Sequence, residues 1–93
     1  MIRHIVMWKF REGTEAQADE FLAQLKALDG VIPQLKKCEV AKNIGADNYD
    51  AVLVSEFDSM EDLAAYKVDP RHVAASGLCK AIRVDRVAVD YEF

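Results

Sequence analysis

"IRHIVMWKF", residues 2–10, carries apolar side chains on both faces of what its alternation predicts to be a strand. Ile2, His4, Val6, Trp8 and Phe10 point one way, and Arg3, Ile5, Met7 and Lys9 the other. A strand with one wet face needs only one apolar face, so this strand calls for a cover on each side. The rest of the chain must supply both covers or leave one to a partner. "YDAVLVSEF", residues 49–57, repeats the pattern: Tyr49, Ala51, Leu53, Ser55 and Phe57 share one side, and Asp50, Val52, Val54 and Glu56 the other. "KKCEVAKN", residues 36–43, is more charged and reads as an edge strand. "IRVDRVAVDYEF", from residue 82, closes the chain as a fourth strand.

Helical signals lie between the strands. Thr14 followed by Gln17 matches a capping box, which predicts a helix starting near Glu15. Ala18, Phe21, Leu22, Leu25 and Leu28 form its apolar stripe, and Gly30 is its stop. "VIPQL" is a short turn that carries Ile32 and Leu35 inward. Ser59 caps a short helix, "MEDLAAYK". In "YKVDPRH", residues 66–72, Asp69 caps a further helix, with Pro70 at its first position and His72 at its third.

The order β-α-β-β-α(α)-β predicts a single α+β domain over residues 1–93. It is a four-stranded antiparallel sheet with helices on one face, the ferredoxin-like arrangement. Helices on one face leave Ile5, Met7, Val52, Val54, Val87 and Val89 on the other. A monomer would leave several hundred Å² of apolar surface wet there, which predicts a homodimer packed sheet to sheet.

Composition narrows the function. Apolar residues make up 52% and charged residues 30% of the chain, a globular balance. The net charge of −4 and the scattered basic residues, densest at Lys36-Lys37, argue against nucleic acid. No apolar run approaches the ~18 residues of a membrane span, and no signal-peptide pattern precedes the first strand. Cys38 and Cys79 lack CxxC spacing and read as buried small apolar residues in a reducing, cytoplasmic setting, with a disulfide or a reactive thiol as the alternative. Two histidines without clustered carboxylates fall short of a metal site. No Gly-rich loop follows a strand, so nucleotide binding has no support.

With this architecture and "DPRHV" both in place, the chain resembles the stress-responsive A/B barrel family, the dimeric α+β barrel proteins. The resemblance runs through "HIVMWKF", "VIPQL", "EF" with "S-M-E-D-L-A-A-Y", "DPRHV" and "DYEF", in that order over nearly the whole chain. It implies two ferredoxin-like subunits joining their sheets. Many members of the family have no known activity. A plant branch cyclises linear polyketides by an intramolecular aldol reaction without cofactor or metal. In that branch a tyrosine and a histidine at the places of Tyr66 and His72 form the catalytic pair, and a histidine at the place of His4 lines the pocket. The branch has a tyrosine at the place of Leu25, a histidine at that of Ala51, and an aliphatic residue where Trp8 stands. Many bacterial members have histidine at the place of Asp69.

These observations place a pocket between sheet and helices, bounded by His4, Val6, Trp8, Phe21, Leu25, Leu53, Tyr66 and His72. At a helix start His72 meets the positive end of the macrodipole, which keeps its ring neutral and able to accept a proton. Two readings stay open. One is a homodimeric protein that binds a small apolar or carbonyl-containing ligand. The other is a cofactor-free enzyme in which His72 removes a proton next to a carbonyl and Tyr66 stabilises the enolate oxygen. The bland alternative has His72 and Tyr66 serving packing alone, with His72 bonded to Asp69 or a nearby carbonyl. Arg86 falls on the helix-facing side, either reaching the rim or neutralising a carboxylate ligand.

Overall fold

The structure is a computed structural model that describes residues 1–93. Its elements are β1 (Ile2–Phe10), α1 (Glu15–Lys26), β2 (Lys37–Lys42), β3 (Ala51–Phe57), α2 (Met60–Val68), α3 (Pro70–Ile82) and β4 (Arg83–Glu92). The four strands form one antiparallel sheet in the order β2-β3-β1-β4, with β2 at an edge as its charge implies. The fold is ferredoxin-like.

The alternation of β1 sorts its side chains as expected. Ile2, His4, Val6 and Trp8 are buried under the helices. They meet Ala51, Leu53, Ser55 and Phe57 of β3 and Phe21, Leu22 and Leu25 of α1. Ile32 and Leu35, from the "VIPQL" turn, complete the core beside β2. Ser59 caps α2 by accepting from the Asp62 amide at 3.1 Å. Asp69 caps α3 by accepting from the Arg71 amide at 2.9 Å, and Pro70 stands at the first turn. The proline's preference for an extended residue before it is why the two helices break at Asp69, whose φ and ψ are −60° and 131°.

Two details differ from the sequence reading. Helix α1 starts at Glu15, but Thr14 makes no side-chain cap; its hydroxyl donates to the Arg11 carbonyl at 2.6 Å. The Arg11–Thr14 turn, with Gly13 at φ 82°, consumes the hydroxyl before the helix can use it. Helix α1 also ends at Lys26, short of Gly30. The chain continues through further turns until Gly30, at φ 77°, reverses it.

On the other side of the sheet no helix lies. Ile5, Val52 and Val54 are half-buried there, while Met7, Val87 and Val89 are exposed. Registers Ile5↔Val54, Ile5↔Val89, Met7↔Val52 and Met7↔Val87 knit them into one apolar band. One end of the band is closed by Arg3, which donates to Glu56 at 2.9 and 3.1 Å and to the Tyr91 hydroxyl at 2.8 Å. Its guanidinium also lies over the Phe93 ring at 3.9 Å. Strand β4 is shielded on neither face over most of its length.

Candidate functional site

A small cavity opens between sheet and helices. Strand β1 contributes His4, Val6 and Trp8, and β3 contributes Leu53. Phe21 and Leu25 come from α1. His72, Ser76 and Cys79 come from one face of α3, at helical spacing. Arg83 and Arg86 of β4 stand at its mouth. The volume is about 50 Å³, space for a water or two or one small functional group. Trp8 limits it: the indole packs edge-on against Phe21 with ring centres 5.1 Å apart, and Phe21 in turn meets Phe10.

Both histidines spend the same nitrogen on the protein. His72 Nδ1 lies 3.1 Å from the Lys67 carbonyl, which can only accept, so Nδ1 carries the hydrogen. His4 Nδ1 donates to the Asp90 carboxylate in the same way. Each ring is left with an Nε2 lone pair when neutral. Burial lowers the pKa of His4, and Asp90 opposes that shift without overcoming it. Burial also comes first in lowering His72, helped by the nearby His4 and Arg86 and opposed by the Lys67 carbonyl and Asp69. The bond of His72 therefore runs to a carbonyl, while Asp69 is occupied by Arg71, its two oxygens accepting from Nε and Nη2 at 2.9 and 2.8 Å.

Tyr66 stands elsewhere than expected. Its ring packs against His72, centre to centre 4.4 Å, and against Phe57 at 5.1 Å, but it is not part of the cavity wall. Its hydroxyl is buried and has no hydrogen-bond partner, and burial pushes the phenol pKa well up. The phenol thus backs the imidazole and is 1% exposed.

Sequence reasoning missed Asp90, Ser76, Cys79 and Arg83. Asp90 was within reach: it follows Arg86 and Ala88 at alternate positions, and His4↔Asp90 are register partners. Ser76 and Cys79 lie one and two turns beyond His72. Arg83 was hidden by an irregularity. The β1–β4 register shifts between Lys9 and Phe10, so Lys9 faces Asp85 and Phe10 faces Arg83. The skipped Val84 lets Arg83 and Arg86 share the helix-facing side, which strict alternation forbids. The two histidines are not joined by further side chains into a set of three that could hold a metal ion. No helix is long and apolar enough to cross a membrane.

Known proteins share this frame. The chain is 34% identical over 98 residues to an uncharacterised protein of Streptomyces coelicolor, with all of both chains covered. It is 27% identical over 95 residues to the olivetolic acid cyclase of Cannabis sativa, covering 97% of this chain and 94% of that protein. It superposes with a TM-score of 0.91 and 32% identity on a dimeric Bacteroides fragilis protein of unknown function and ferredoxin-like fold, over 99% of this chain and 95% of that one. The model of the stress responsive A/B barrel domain matches residues 2–93, the whole span of sheet, helices and cavity, and the chain belongs to that family.

Proposed function

We propose that the chain is a homodimer in which each subunit binds a small organic molecule in the cavity between sheet and helices. One observation carries the binding reading: two histidines, both held neutral by burial and both with Nδ1 committed, share the wall of an otherwise largely apolar cavity. Apolar walls with a few convergent polar groups are the usual make-up of a ligand pocket. The homodimer is supported by the uncovered band on the outer sheet face and by the dimeric Bacteroides relative.

The size of the cavity sets the ligand's size. About 50 Å³ takes the functional end of a small molecule and not a folded polyketide chain. The test is a titration of the protein with small aldehydes, ketones and acids, followed by Trp8 fluorescence, since Trp8 is the single tryptophan and lines the cavity. Binding should be saturable and should vanish in His72→Ala while the fold persists. Binding that survives in His72→Ala, with the variant severely destabilised, would assign the ring to structure alone.

The second reading, cofactor-free acid–base chemistry, is favoured by the cyclase relative and by the unengaged Nε2 of His72. In that reading the C–H bond next to a carbonyl breaks, its proton passes to Nε2, and the electron pair becomes the enolate. Tyr66 would act by holding the ring from behind. Exchange of the α-protons of a small β-diketone into heavy water, followed by NMR, tests it. No enhancement over buffer, or equal enhancement by His72→Ala, would remove the reading.

A further inference from the structure

The mouth of the cavity carries charge that the protein leaves uncompensated. Arg83 and Arg86 stand there side by side because the β1–β4 register skips Val84. Neither guanidinium pairs with a carboxylate. The acidic residues on this side of β4 are Asp90, engaged with His4, and Glu92, at the far end opposite Ile2. This happens in a chain whose net charge is −4, where free arginines have many acidic side chains to choose from. By contrast Arg3 and Arg71 are both tied to carboxylates. Two unpaired guanidiniums at the rim of a low-dielectric cavity concentrate field on an incoming anion.

We propose that the ligand is a small carboxylate, its carboxyl group held by Arg83 and Arg86 and its short apolar end in the cavity beside Trp8 and Leu53. This rests on the pocket reading above and adds the ligand's class. A guanidinium fork matches the two oxygens of a carboxylate. Beyond the arginines the wall is mostly apolar, with Val6, Trp8, Phe21, Leu25 and Leu53 beside the two histidines and Ser76, and about 50 Å³ suits a short alkyl tail. A phosphate would want backbone amides as well, and no glycine-rich loop or free helix start supplies them at this mouth. The helix nearest, α3, has its first turn capped by Asp69.

The experiment uses the intact protein and the straight-chain acids from acetate to octanoate, each beside its amide and alcohol, with butyl phosphate as a further arm. Trp8 fluorescence reads binding. The acids should bind best at a short chain length, and the matched neutral compounds should bind roughly tenfold or more weakly, as expected for loss of a charge-assisted hydrogen bond. Arg83→Gln and Arg86→Gln should each weaken the acids by a larger factor than the matched amides and alcohols, so that the preference for the acid shrinks. Arg86 is exposed and Arg83 half-buried, and circular dichroism should report folded variants for both. Equal affinity for acid and amide, or an acid preference untouched by both substitutions, overturns the carboxylate assignment and leaves the pocket reading standing. Tight binding of butyl phosphate without binding of the acids also overturns it. No response to any compound removes both readings.

Discussion

At the scale of single residues the informative group is the His72 ring. It donates from Nδ1 to a backbone carbonyl, rests on the Tyr66 ring and lines the cavity. NMR should give it a pKa below the ordinary ~6.5 of histidine. The consequence for stability has a definite sign. Below about pH 6.5 the unfolded chain binds the proton that the folded ring refuses, so stability falls as pH drops from there towards the folded value. His4 acts in the same direction. A denaturant midpoint lower at pH ~5.5 than at ~7.5, with the difference reduced in His72→Gln, is the expected result; a midpoint rising on acidification contradicts it. Asp69 works lower on the scale. Its bonds to Arg71 hold the carboxyl down at about 2, so its contribution is present above the ordinary carboxylate value and is lost as pH falls through about 2. Asp69→Asn should keep the cap and lose this acid dependence, whereas Asp69→Ala should lose the cap as well and melt a few degrees lower.

At the scale of elements, Trp8 and Gly30 make separate points. Trp8 fills the cavity from β1, and Trp8→Leu should cost about 1–3 kcal/mol while admitting larger apolar ligands. A variant that loses stability without gaining any ligand would mean that the neighbouring rings collapse into the space. Gly30 sits at φ 77°, a region that costs a side chain about 1 kcal/mol or more, so Gly30→Ala should lower the unfolding free energy by that amount. Much of this level is legible in the sequence. The alternation of β1 and β3, the Ser59 and Asp69 caps and the stop at Pro70 are local signals, each with its own cause within a few residues. Thr14 shows where local reasoning misleads: the spacing to Gln17 is right, but a tighter turn to Arg11 takes the hydroxyl. The cavity wall is harder, because it is made by elements far apart in sequence. His4, Val6, Trp8, Phe21, Leu25, Leu53 and His72 follow from face assignments. Arg83 does not, since a register shift moves it to the other side. Tyr66 is placed by helix packing, which no periodicity in so short a helix resolves.

At the scale of the molecule the uncovered sheet face dominates. Val52→Asp puts a charge in the middle of the apolar band and should dissociate or unfold the dimer. Sedimentation of the unmodified protein should give a dimer at micromolar concentration, its interface on the order of 2,000 Å² in total. A persistent 10.4 kDa species would contradict the assignment. The sheet order has one more consequence, for the birth of the protein. Of the four strands, β1 is made before the others and lies in the interior of the sheet, and one of its two neighbours is β4, made after the others. Ile2 pairs with Glu92, so β1 waits until the chain has been made through β4 before its hydrogen bonds are complete. Such long-range pairing slows folding. During that interval a nonapeptide apolar on both sides lacks one of its two strand neighbours, the kind of unpaired edge that invites aggregation.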